Sequence, residues 1–171
     1  MAVSAKQRKF SVVVAVCKGT RGIGAGGQLP WRLRSDMQYF KQLTRSTSDA
    51  TKRNAVIMGR KTWQSIPTKF RPLDDRVNVV LSRNPEAKKE LDLPEGVVVA
   101  ESLEKALELL AEDAELGCTI ENVYVIGGGS VYAEALALKQ SCAKLYVTEI
   151  EKAEPPKPAA VALALDNLLS L

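Results

Sequence analysis

A lone carboxylate, Asp36, stands five residues after Leu29-Pro30-Trp31. The apolar run from Phe10 to Cys17 and the glycine-rich Gly22-Ile23-Gly24-Ala25-Gly26-Gly27 precede it. The helix-like segment from Ser35 to Thr47 follows, so the acid sits where a strand, a loop and a helix converge. An acid placed there reads as part of a pocket. The plainer reading is an acid in the first turn of a helix, favoured by the helix dipole. Arg76 opens the apolar run Val77 to Leu81, and an arginine at such a strand start can receive a ligand carboxylate as a bidentate fork or make a surface ion pair. Two glycine clusters follow apolar runs and open helices, Gly59-Arg60-Lys61-Thr62 and Gly127-Gly128-Gly129-Ser130-Val131. Each offers unpaired backbone N–H groups and a positive dipole end to an anion, although glycine turns of purely structural use are also common. Arg60, Lys61, Ser82 and Arg83 add basic and hydroxyl groups of the kind that surround a 2′-phosphate, where an NAD site would place an acid near the ribose.

Other chemistries are excluded. The chain has no histidine, which removes His-based triads and the usual zinc sites, and no metal site is expected. Cys17, Cys118 and Cys142 are odd in number and lack metal spacing, as suits a reducing compartment. Gly22, Gly24 and Gly27 formally satisfy G-x-G-x-x-G after a strand. Gln28-Leu29-Pro30-Trp31 follows in place of a helix, however, and no acid stands about 20 residues on after a second strand, so the Rossmann reading fails. These glycines suggest a mobile loop closing over a ligand.

The elements that must position these groups are legible. Residues 10–17, 54–59, 77–82, 96–100, 121–126 and 144–150 are short runs rich in Val, Ile and Tyr, expected as strands of a mostly buried sheet. Helices alternate with them. Ser35 with Gln38 forms a capping box for the first, whose Met37, Phe40 and Leu43 share an apolar face. Ser102 caps another, with Leu103, Ala106, Leu107 and Leu110 at helical spacing. Alternating strands and helices predict an α/β layered domain with a largely parallel sheet.

Four motifs in order carry a family resemblance: Leu29-Pro30-Trp31 with Asp36; Val56 to Trp63 with Ser65-Ile66-Pro67, Arg71-Pro72-Leu73 and Arg76 to Arg83; Val123 to Tyr132; and Leu145 to Ile150. Together, over roughly residues 10 to 150, the chain resembles dihydrofolate reductase. Ser46 to Asp49 and Lys52 to Ala55 look most like the reductase half of plant and protist proteins fused to thymidylate synthase. A synthase half is not among these residues and would be the partner domain in a parent protein.

The resemblance implies a three-layer α/β fold with a mixed, mostly parallel central sheet, NADPH as cofactor and dihydrofolate as small-molecule substrate. It implies that Asp36 orients the pterin and that Trp31 and Thr148 complete a water network with it. Val14, Leu29, Met37, Phe40, Ile66 and Leu73 would wall the substrate, and Arg76 would hold its glutamate tail. Ala15 and Ile23 would flank the nicotinamide, under the loop of Gly24 and Gly27. Gly59, Arg60, Lys61, Thr62, Leu81, Ser82, Arg83, Gly127, Gly128, Gly129, Ser130, Val131 and Tyr132 would hold the rest of the cofactor, with a cis peptide between Gly127 and Gly128.

Length and composition agree with one domain, expected over residues 10–150 after a short basic segment, 1–9. A 46% hydrophobic content supplies a core, and the net charge of +4 is spread without the basic tracts of nucleic-acid binders. No apolar stretch reaches the ~20 residues that span a bilayer. The N-terminal segment lacks the apolar core of a secretory signal, so a cytoplasmic location is expected, organelles remaining open. Composition shifts at Glu154 into Pro155-Pro156-Lys157-Pro158 and an apolar tail, Ala159 to Leu171. The family's C-terminal edge hairpin is not recognisable there. Residues 161–171 can substitute for it, bind a partner, or reflect a truncated product. An unprotected sheet edge also motivates an alternative reading, a non-catalytic binding or assembly protein on a reductase scaffold.

Overall fold

A computed structural model describes residues 8–17 and 34–150, with side chains described at all of these except 17, 34–36 and 150. The expected tail, 151–171, and the loop carrying Ile23, Gly24, Gly27, Leu29 and Trp31 lie outside the described residues.

The strands form where the apolar runs predict. They are β1 (Phe10–Cys17), β2 (Arg53–Gly59), β3 (Arg76–Leu81), β4 (Val98–Ala100), β5 (Ile120–Gly127) and β6 (Cys142–Ile150). The helices are α1 (Arg34–Arg45), α2 (Arg60–Ser65), α3 (Ala87–Glu90), α4 (Leu103–Glu112), α5 (Ala114–Thr119) and α6 (Gly129–Ala137). The strands make one sheet in the order β4-β3-β2-β5-β1-β6, and every pairing among the described residues is parallel. From β1 the chain moves outward to β4, returns through α4 and α5 to insert β5 beside β1, and leaves by α6 to β6. Because β1 and β2 are parallel, α1 must run back from the carboxyl edge of the sheet to its amino edge.

Burial explains the residue types. β3 is buried along its whole length and β2 at all but Arg53, as parallel strands covered on both faces should be. β1 is different. Phe10, Val12, Val14 and Val16 are buried, while Ser11, Val13 and Ala15 between them are only half-buried. One cluster joins the buried β1 residues to Leu103, Ala106, Leu107 and Leu110 of α4 and to Val131, Tyr132 and Ala135 of α6. On the opposite face a second cluster holds Val56, Met58, Val80 and Trp63, with Val13, Leu43, Ile66, Leu73, Ile126 and Tyr146 partly buried against it.

Two sets of polar contacts fix the helices that matter. Ser102 Oγ accepts from the Lys105 N–H at 3.1 Å, as expected of the α4 cap, and the Glu134 carboxylate of α6 accepts from the Leu103 N–H at 2.8 Å. Ser102→Ala is therefore expected to lower the unfolding free energy by about 1 kcal/mol, read from the denaturant midpoint at unchanged slope. The fully buried Asn54 donates to the carbonyls of Thr44 and Ser46 at 2.9 and 2.8 Å. Its Oδ1 accepts from the N–H of Asn122 at 3.1 Å. This staples the end of α1 to β2 and β5. The helix begins at Arg34, which places Ser35 in its first turn and not at the cap expected for it.

Candidate functional site

Three neighbouring strands end together. Gly59 of β2 lies in register with Leu81 of β3, and Met58 with Gly127 of β5. α2 starts at Arg60 and α6 at Gly129, so both helix N-termini leave the carboxyl edge of the sheet side by side. Ligands of open parallel sheets bind beyond that edge, where first-turn N–H groups are unpaired. Arg60, Lys61 and Arg83 are exposed there, Ser82 and Thr62 half-buried. Among the described residues, none of the three cations has an ion-pair partner. The arrangement fits an extended polyanion such as a dinucleotide with a ribose phosphate.

The glycines are packed to their limits. Gly127 has φ +122°, and a Cβ there would lie 3.1 Å from the Tyr132 hydroxyl oxygen. A Cβ at Gly59 would meet Val131 Cγ2 at 3.1 Å, and one at Gly128 would meet Thr62 Oγ1 at 3.3 Å. The peptide between Gly127 and Gly128 is cis, as the resemblance implied. Tyr132 lies inside the fold. Its hydroxyl donates to the Val13 carbonyl at 2.9 Å, and burial pushes the phenol's pKa upward, so it stays a protonated donor tying α6 to β1. Ser130 is exposed at the start of α6, while Val131 is buried.

A second region adjoins this edge. Ala15 lies in register with Thr148 and Val13 with Tyr146, across the β1–β6 pair. Alternation puts all four on the face of the second cluster, beside Ile66, Leu73 and Ile126. Val14 does not belong there. Its side chain is 4% exposed and packs in the α4–α6 cluster, so the substrate-wall role expected of it is corrected: Val13 and Ala15 are the β1 residues on this side. Met37 is 58% exposed and Phe40 half-buried on α1, and Leu43 packs partly buried against the second cluster. Val13, Leu43, Ile126 and Tyr146 are partly buried on this same face and are not among the expected wall residues.

Asp36 lies in the first turn of α1, toward the carboxyl edge. Eight residues further along the helix, ~12 Å by helical rise, Thr44 is fully buried and meets Arg76. Thr44 Oγ1 donates to the Phe40 carbonyl and accepts from Arg76 Nη1, both at 2.8 Å. Arg76 Nε donates to the Asp74 carbonyl at 2.9 Å, and Nη2 donates to Asp74 Oδ1 at 3.0 Å. Burial draws the guanidinium's pKa down while Asp74 opposes that shift, and the group remains a cation. Three of its five N–H groups are therefore engaged by described residues. An acid at one end of α1 and a half-committed guanidinium at the other, with Leu43, Ile66 and Leu73 together on one side of the sheet, suit a ligand with a flat polar head and an anionic tail.

Comparison with known proteins gives one answer. A family model described as dihydrofolate reductase matches residues 9–159. The chain is similar to the dihydrofolate reductase of Drosophila melanogaster, at 46% identity over 142 residues, covering 83% of this chain and 73% of that protein. It is 50% identical over 148 residues to the bifunctional dihydrofolate reductase-thymidylate synthase 2 of Arabidopsis thaliana, covering 86% of this chain and 25% of that protein. Among solved structures it resembles Schistosoma mansoni dihydrofolate reductase, with a TM-score of 0.72 and 39% identity over 86% of this chain and 76% of the other. The chain thus spans about three quarters of the single-function reductases and a quarter of the bifunctional one.

Proposed function

The chain belongs to the dihydrofolate reductase family, its activity is the reduction of dihydrofolate, and we propose that it uses NADPH and the residues described above to do so. The observation that carries this reading is the pairing of two sites across one sheet. Beyond the ends of β2, β3 and β5, two helix starts and the cations Arg60, Lys61 and Arg83, without an ion-pair partner among the described residues, suit a phosphorylated dinucleotide. Along α1, an acid and a buried guanidinium are set apart by a span that the extended p-aminobenzoylglutamate arm of a folate covers.

NADPH, when bound, supplies the hydride. The chain's own residues do the rest. Asp36 pairs its two oxygens with a ring N–H and the exocyclic amino group of the pterin, fixing ring orientation and polarising the ring toward protonation, with the proton coming from solvent. Thr148 and Trp31 complete the water network around that acid. Ala15, in register with Thr148, forms the floor between the two ligands. Val13, Ile66, Leu73 and Phe40 exclude water from the arm, and orientation of the two reactants provides most of the rate. Arg60, Lys61, Ser82 and Arg83 select NADPH over NADH by receiving the 2′-phosphate.

The product serves one-carbon metabolism and thymidylate synthesis, and the bifunctional relatives support a synthase domain as a partner in a parent protein. The folded core is residues 10–150 in this reading, working in the cytoplasm. The free thiols of Cys118 and Cys142 support a reducing compartment.

Arg76→Lys tests the substrate half. Lysine keeps the charge and removes the planar fork. The KM for dihydrofolate is expected to rise about tenfold, in line with losing one charge-assisted hydrogen bond. The KM for a dihydropterin lacking the glutamate tail should not follow it. An equal change for both substrates would remove Arg76 from the tail site.

A further inference from the structure

We propose that Asp74 is a specificity-determining residue, a resident counter-ion that competes with the substrate's carboxylate for Arg76. The inference rests on the reading of Arg76 as the receiver of the glutamate tail and adds a residue that opposes it. The Arg76 side chain is 2% exposed and its Nη2 already donates to Asp74 Oδ1 at 3.0 Å. A carboxylate arriving as a fork partner therefore meets a nitrogen already engaged on one of its two N–H groups and a negative charge of the same kind. It binds through the remaining N–H groups of Nη1 and Nη2 against that charge, or by displacing Asp74.

The geometry makes displacement feasible. Asp74 is 60% exposed, and its other oxygen, Oδ2, lies 3.8 Å from Lys41 Nζ and 3.7 Å from Arg45 Nη1. A small rotation off Nη2 leaves the carboxylate with two cations for company. Arg45 is in addition bonded to Asp75, so α1 and the turn before β3 share four charges around one movable acid. Desolvation raises the Asp74 pKa, but Lys41, Arg45 and Arg76 together outweigh it and lower the value, keeping the group charged at neutral pH.

Asp74 does not aim the guanidinium. Nη1 is held by Thr44 Oγ1 and Nε by the Asp74 main-chain carbonyl, and neither bond involves the Asp74 side chain. Thr44 is itself fixed by its bond to the Phe40 carbonyl. Removing the carboxylate therefore leaves the fork in place and frees one N–H for the ligand. The two roles an acid can have beside an arginine, orienting it or competing for it, separate here on the hydrogen-bond pattern. The effect is modest because Asp74 faces solvent, where charge pairs are screened.

The test compares the wild-type chain with Asp74→Asn, and with Asp74→Ala to exclude a new amide contact, on dihydrofolate and on a tail-less dihydropterin. The ratio of kcat/KM for dihydrofolate to that for the tail-less substrate is expected to rise about two- to fivefold in both variants, through KM, and the gain should shrink with added salt. An unchanged or lowered ratio overturns the proposal, a lowered one showing that Asp74 orients Arg76 instead. Arg76→Lys in the same assays distinguishes the failures. If it lowers the ratio while the Asp74 variants leave theirs unchanged, only the competition is wrong. If it leaves the ratio unchanged, the tail site itself is misplaced and the inference falls with it.

Discussion

Asp36→Asn is expected to cut turnover of dihydrofolate by about 10²-fold or more, the scale of a lost group that polarises a reacting ring. Binding of the reduced nicotinamide should hold within about twofold, since the proposed cofactor contacts come from other strand ends. α1 carries this residue in its first turn, and the helix is held at its far end by Asn54 and Arg76. The amide keeps the size of the acid but cannot hold a negative charge against the pterin. One of its two positions also becomes a donor facing donors. A loss in kcat, separate from any change in cofactor affinity, is the signature of a group that acts on the reacting ring. Stopped-flow binding of NADPH beside steady-state turnover measures both, and turnover within about twofold of wild type would remove Asp36 from its role.

Gly127→Ala is expected to destabilise the fold by about 3–5 kcal/mol, or to prevent folding. Two independent penalties meet at this residue. Its φ of +122° is a conformation that side-chain-bearing residues rarely adopt, and the new Cβ would press on Tyr132 at 3.1 Å from the hydroxyl oxygen and 3.3 Å from Cζ. The ring has little room to yield, being 5% exposed with its hydroxyl bonded to the Val13 carbonyl. Adding Tyr132→Phe should recover only part of the loss, because Cζ and the backbone angle remain. Chemical denaturation of the single and double variants decides this. A Gly127→Ala protein within about 1 kcal/mol of wild type would contradict the packing described.

The sheet was largely legible because its centre is mostly buried on both faces, so β2, β3 and β5 read as predominantly apolar runs and their bounds fall within about a residue of the expected ones. That property also hid which face a residue takes. Val12-Val13-Val14-Ala15-Val16 has no polar alternation, and Val14 was assigned to the ligand side that Val13 occupies. Helical spacing of Met37, Phe40 and Leu43 likewise does not say how much of that face a neighbour covers, and Met37 is 58% exposed. The glycine clusters were found because strand, glycine and helix start are adjacent in sequence. The Arg76–Thr44–Asn54 network was not, since it joins segments far apart in the chain. Its one sequence signal is two small polar residues, Thr44 and Asn54, at the ends of otherwise regular elements.

The most direct test of the central claim is oxidation of NADPH by the purified chain, followed by nicotinamide absorbance with dihydrofolate, with and without methotrexate as a folate-site blocker, and repeated with NADH. The account predicts turnover that requires dihydrofolate, stops with the blocker and is faster with NADPH. A folded sample that shows no turnover, or turnover indifferent to the blocker, would contradict it.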